Sequence, residues 1–153
     1  MLATKLKDFL DHKKVKYVTI AHSPAYTTQE VAESAHVPGR IMAKTVMVVI
    51  DDALAMAVLP SNHRVLLDDL REVTGTEDVR LAREDEFKSF FPDCEAGAMP
   101  PFGNLYDMAV YVSPLLADET ELAFNAGSHT EIIKMLYRDF ERLVSPHVAN
   151  FTT

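Results

Sequence analysis

Met42-Ala43-Lys44-Thr45-Val46-Met47-Val48-Val49-Ile50 carries the strongest strand signal in the chain; Asp51-Asp52 and then Leu54-Ala55-Met56-Ala57-Val58-Leu59 follow it. Two apolar, partly β-branched runs on either side of a short polar pair read as a β-hairpin. Working back from the hairpin, residues 17–21 read as another strand, broken by Ser23-Pro24. Before that, Leu2, Leu6, Phe9 and Leu10 recur at helical spacing and predict an opening helix with its lysines outward. Thr27 and Glu30 have capping-box spacing, predicting a short helix through Val31, Ala32 and Ala35 that Pro38-Gly39 ends.

Forward of the hairpin, Asn62 is positioned to cap a helix carrying Val65, Leu66, Leu70 and Val73, with Gly75 closing it. A short strand over 79–81 and a helix over 84–91, stopped by Pro92, come next. Residues 93–104, with two glycines and two adjacent prolines, read as loop. Strands are expected over 108–112, 121–125 and 130–135, a turn at Gly127, and a terminal amphipathic helix over 137–144. Strands and helices alternate irregularly around hairpins, which predicts a mixed α/β (α+β) fold: a mixed sheet surrounded by helices.

The 153 residues contain no repeat, low-complexity tract or linker, so residues 1–153 are expected to form a single domain. No apolar run approaches the roughly 20 residues that span a bilayer, and the N-terminus lacks the pattern of a secretory signal. The lone cysteine, Cys94, rules out an internal disulfide framework and suits a reducing cytoplasm. A net charge of −8 argues against indiscriminate nucleic-acid binding, which needs cations to displace counterions from phosphates. The charge is uneven, however. Residues 1–16 hold five lysines against two aspartates, a balance of +3, which leaves −11 on the rest.

Four segments can carry chemistry. Lys44 opens an apolar strand, and its amine must reach a sheet end or a cleft because desolvating the charge is costly. There it would bind a phosphate or polarise a carbonyl, unless it simply extends to water. Gly97-Ala98-Met99-Pro100-Pro101-Phe102-Gly103 combines close backbone approach at glycine with φ fixed at proline, a stiff loop whose amides and carbonyls can face a ligand. Asn125-Ala126-Gly127-Ser128-His129 runs from a strand end into a polar turn; His129 suits a base, a ligand for an amino group, or an ordinary turn histidine. His22-Ser23-Pro24-Ala25-Tyr26-Thr27 precedes a helix N-terminus, which favours anionic groups. No Gly-x-Ser-x-Gly, P-loop or dinucleotide motif occurs, and the six histidines lack metal-ligand spacing, so neither cofactor nor metal is expected. Cys94 is a nucleophile only if a base lowers its pKa.

In this order and spacing, the four segments resemble the YbaK-like family of aminoacyl-tRNA editing domains, which includes the insertion domain of bacterial prolyl-tRNA synthetase and free-standing relatives. The likeness runs from about residue 17 to residue 144. It implies a mixed, partly barrel-like sheet surrounded by helices, and hydrolysis of the ester between an amino acid and the 3′ adenosine of tRNA. It makes Lys44 the signature active-site residue, with the Gly-x-x-x-Pro loop at Gly97 to Pro101. Catalysis is implied to use the substrate's ribose hydroxyl and backbone amides near Gly97–Pro101 and Gly127-Ser128, not a protein nucleophile. His22, Tyr26, Thr27, Met99, Pro100, Phe102 and His129 would shape the substrate pocket, with Met99-Pro100-Pro101 as its size-measuring wall. The implied partners are a mischarged tRNA (tRNA-Pro bearing a small amino acid) and a transient synthetase complex, with no membrane. Two other readings stand beside it: a non-catalytic module that binds tRNA or a synthetase, and a Cys94-dependent acyl hydrolase.

Overall fold

The computed structural model describes residues 4–22, 32 and 35–153. The hairpin is its centre. Strands β2 (Ala43–Ile50) and β3 (Ala53–Pro60) pair antiparallel from Ala43↔Pro60 to Ile50↔Ala53. Asp51 and Asp52 both take positive φ, 50° and 65°, as a two-residue turn matching the right-handed strand twist requires. Strand β4 (Val79–Leu81) pairs with β2, while β5 (Ala109–Val112) runs parallel to β3 and β8 (His147–Val148) parallel to β5. This gives a five-stranded sheet of order β4-β2-β3-β5-β8. A second sheet of order β1-β7-β6 is antiparallel and contains β1 (Tyr17–Ala21), β6 (Glu121–Ser128) and β7 (Glu131–Leu136).

The two sheets meet where Met42, just before β2, bridges Ala123 of β6 in parallel. The sheets do not close into a barrel, and the fold is the expected mixed α/β class. Alternation along β2 sends Ala43 and Met47 into the main core and Val46 and Val48 into a second cluster with Leu59, Leu70 and Phe151. In the main core Phe102, Phe124 and Phe140 are fully or almost fully buried, each contributing roughly 1.5–3 kcal/mol of transfer free energy. Their rings meet edge-on or tilted, with 5.5 Å between the centroids of Phe102 and each of the other two.

Helix α1 (Thr4–His12) buries Leu6 and Leu10, and Phe9 packs on Phe102. Helix α2 (Leu67–Thr74) ends at Gly75, left-handed at φ 73°, whose N–H donates to Arg71 O. Helix α5 (Tyr137–Val144) buries Tyr137, Phe140 and Val144 along one face. The helix expected over 84–91 splits into α3 (Glu84–Phe87) and a 3₁₀ turn, Lys88–Phe90. Short helix α4 (Pro114–Ala117), with Ser113 accepting from Leu115 N–H at its start, and strand β8 carried no periodic signal.

Two expectations are corrected. Asn62 caps nothing: α2 begins at Leu67 because Val65 pairs with Thr152 and Leu66 N–H donates to Phe151 O, which keeps the preceding residues extended. Gly127 is not the hairpin turn but part of β6, at φ 96° within an irregularity between Asn125 and Ser128. The capping box at Thr27 and Glu30, most of its helix, and Leu2 lie outside the described residues.

Candidate active site

One edge of β6 is paired with β7; the other edge is held at two points. At Ala123 its N–H donates to Ile41 O at 2.9 Å, beside the Met42 bridge. At Gly127 the Gly/Pro loop takes over: Glu95 N–H donates to Gly127 O at 2.7 Å, and Gly127 N–H to Ala98 O at 3.0 Å. Asn125 lies between these anchors. Lys44 stands two residues past Met42 on β2, just as Asn125 stands two past Ala123 on β6. Because side chains alternate, both project on the face that carries Met42, Ala123 and Ile132, opposite the Phe102 core.

The loop and the β6–β7 turn are locked together. His129 N–H donates to Glu95 Oε2 at 3.0 Å, and His129 Nε2 lies 2.8 Å from Ala96 O. A carbonyl only accepts, so Nε2 carries the proton. Gly97 takes φ 80°, and a Cβ there would stand 3.7 Å from His129 Cε1, which puts the loop backbone against the imidazole. His22 joins the same turn through its N–H to Thr130 O at 2.9 Å. Gly97, His129 and His22 are thus drawn around one end of β6, with Lys44 on the strand that meets β6 at the Met42–Ala123 bridge.

Other expected residues are placed differently. Ser128 is buried, and its Oγ is engaged with Thr130 at 3.2 Å to the hydroxyl and 3.3 Å to the amide, a turn-stabilising role. The Gly127 amide, expected to stabilise negative charge, is committed to Ala98 O. Gly97, Met99, Phe102 and Gly103 are the residues of the 97–103 loop whose N–H groups make no such backbone bond among the described residues. Phe102 is fully buried among Phe9, Phe124 and Phe140, so its ring supports the loop from below and does not face a substrate. Met99, Pro100 and Pro101 are also buried; Met99 lines a cavity of about 130 Å³ with Phe87, Phe91 and Cys94, rimmed by Glu84, Lys88 and Glu95. Tyr26 and Thr27 lie outside the described residues.

Lys44 is partly buried and makes no hydrogen bond or ion pair among the described residues. Burial first, and then the Arg64 charge, hold its amine below the ordinary lysine range. Arg64 was not singled out from the sequence. It follows β3 closely and is clamped by Thr153, whose Oγ1 accepts from Arg64 N–H at 3.3 Å and whose N–H donates to Arg64 O at 3.1 Å. Arg64 is thus a second cation acting on the Lys44 amine, and paired cations favour an anion.

Cys94 is the opposite case. Burial, then the Asp93 carboxylate, pushes its thiol up to about 12, so it stays protonated and non-nucleophilic at neutral pH. Cys94→Ser is therefore expected to leave turnover within about twofold of wild type, and iodoacetamide to label the native thiol slowly. Among the described residues, no group of three or more His, Cys, Asp or Glu side chains is placed to hold a metal, and no helix is long and apolar enough to cross a membrane.

The sequence and the fold have counterparts. The chain is 23% identical over 150 residues to the prolyl-tRNA editing protein ProX of Acetoanaerobium sticklandii, covering 93% of this chain and 90% of that protein. Its fold superposes on the hypothetical protein APE2540 with TM-score 0.85 at 20% identity, covering 97% of this chain and 99% of that one. It also superposes on a candidate trans-editing enzyme for prolyl-tRNA synthetase with TM-score 0.83 at 18% identity, covering 99% and 96%. Residues 22–143 match the aminoacyl-tRNA editing domain, a span that takes in Lys44, the Gly97 loop and His129. The chain belongs to the aminoacyl-tRNA editing domain family.

Proposed function

We propose that the chain acts as a free-standing domain in trans, hydrolysing the ester of a mischarged tRNA, tRNA-Pro carrying a small amino acid. The observation that carries this reading is the partly buried Lys44 amine, which makes no hydrogen bond or ion pair among the described residues and lies on the β2 face shared with Asn125 of β6, the strand on which the Gly97 loop closes. Water adds to the ester carbonyl, the ribose oxygen leaves with a proton, and free amino acid and tRNA result. Lys44 holds the terminal phosphate or the carbonyl oxygen, and the Gly97 and Met99 amides receive developing negative charge; one such donor is typically worth about 3–4 kcal/mol. The substrate's ribose hydroxyl orients the water, which suits a site whose only thiol is protonated and whose Ser128 hydroxyl is engaged.

Selection rests on size. One methylene changes binding by only about 1–3 kcal/mol, so a synthetase needs a second sieve. A loop held by the buried Met99, Pro100 and Pro101 and pinned to Gly127 and His129 cannot widen cheaply. Hydrolysis of a panel of tRNA-Pro charged with alanine, cysteine, serine, threonine or proline tests the reading. A small amino acid should be released and proline retained; an untouched panel refutes it.

Arg64 should supply phosphate contact to the acceptor end. Arg64→Ala is expected to reduce the slope of log affinity for deacylated tRNA against log salt by about 0.7–0.9, one phosphate contact's worth. An unchanged slope would remove Arg64 from the tRNA interface.

A further inference from the structure

Asn125 is 5% exposed, and its Oδ1 is buried without a hydrogen-bond partner among the described residues. Leaving a buried acceptor unpaired is unfavourable, and native chains rarely do so without a use for it. Its location gives the use. Asn125 sits on β6 between the Ala123 anchor to the 41–42 segment and the Gly127 anchor to the Gly/Pro loop, on the face it shares with Lys44. The parallel pairing beside β2 is confined to the Met42–Ala123 bridge, so among the described residues no β2 backbone bond reaches Asn125. Its neighbour across the ladder is Ile132, followed by Ile20, and neither has a polar side-chain group to offer.

We infer that Asn125 is a specificity-determining residue whose side-chain oxygen accepts a hydrogen bond from the free α-amino group of the esterified amino acid. The inference rests on the deacylase reading and deepens it: the site selects for an unblocked amine as well as a small side chain. An aminoacyl-adenosine presents three kinds of donor: the α-ammonium, the ribose hydroxyl and the adenine amino group. The α-ammonium is attached one carbon from the carbonyl under attack, so a substrate held by Lys44 brings it to the same face. A neutral acceptor suits that place better than a carboxylate. A carboxylate beside Lys44 would close an ion pair and take the lysine out of action, whereas an amide oxygen receives the amine and leaves Lys44 uncommitted. A peptidyl or N-acylated group has lost the charge and most of the donors, and its added carbonyl would press on a buried acceptor.

The test compares alanyl-tRNA-Pro with N-acetyl-alanyl-tRNA-Pro, both prepared from the same tRNA. The wild type should favour the free amine in kcat/KM by about tenfold or more, the scale set by leaving one buried polar group unpaired. Asn125→Leu, similar in volume, should lose activity on alanyl-tRNA-Pro and bring the ratio near unity, while Asn125→Asp should lower turnover on both esters by pairing with Lys44 and keep the preference in the activity that remains. Equal wild-type hydrolysis of the two esters overturns the inference and leaves the deacylase reading standing. So does an Asn125→Leu variant that loses both activities in equal proportion, which marks a structural role or a bond to the ribose. If the wild type cleaves neither ester nor any other member of the panel, the deacylase reading itself falls, and this inference falls with it.

Discussion

Lys44→Ala is expected to lower kcat/KM for the mischarged tRNA by roughly 100- to 1,000-fold, the loss seen when one preorganised group facing developing charge is removed. The melting temperature should hardly move. Lys44 makes no hydrogen bond or ion pair among the described residues, and its burial disfavours the charged form, so truncation removes no stabilising contact. Activity and stability should therefore separate, which is the signature of a residue retained for function. Lys44→Arg should restore little, since a planar guanidinium on a longer arm cannot occupy the position of a compact ammonium beside Arg64. Steady-state kinetics with a thermal melt on each variant provide the check. A Lys44→Ala protein with full turnover would remove the residue from the mechanism.

Gly103→Ala should have the largest effect on stability. A Cβ at Gly103 would lie 2.5 Å from Met108 O and 2.7 Å from Val110 Cγ2, and the first of these is backbone that cannot swing aside. The same Met108 uses its N–H to reach Gly103 O at 2.9 Å, and Tyr106 N–H donates to that oxygen too. Overpacking of this kind costs about 1–3 kcal/mol, occasionally more. At about 2–4 °C per kcal/mol for a chain near this length, the melting point should fall by several degrees or more. Gly103 ends the loop whose start carries Gly97, so kcat/KM should fall as well, by misplacement of the loop. Gly39→Ala is the matched control: a Cβ there meets nothing within 4 Å, and a near-neutral melt is expected. A Gly103→Ala melt equal to wild type would show that the backbone around Met108 yields more easily than its hydrogen bonds suggest.

The parts of the fold legible in the sequence are those with a long apolar period or a turn residue of known geometry. The β2–β3 hairpin, the Gly75 stop and α5 all have such local causes. What escaped was decided by distant partners. Residues 62–66 carry helix-compatible spacing but are kept extended by Phe151, Thr152 and Thr153, nearly ninety positions away, and that same docking places Arg64 beside Lys44. No local pattern announces it. The candidate site divides in the same way. Lys44 stood out because a cation in an apolar strand needs a reason, and the Gly97 loop because glycine and proline mark backbone that is held stiff. The resemblance puts Phe102 in the substrate pocket, but three other rings claim it for the core. Asn125 lay inside a quoted motif without distinction; only its burial and unpartnered oxygen single it out.

The most direct test of the account follows ester lifetime under single turnover, with wild-type protein in excess over alanyl-tRNA-Pro. The ester should decay far faster than in buffer, with free alanine released and the rate lost in Lys44→Ala. Binding of the tRNA with an ester lifetime equal to that in buffer would contradict it and leave the chain a module that recognises tRNA without editing it.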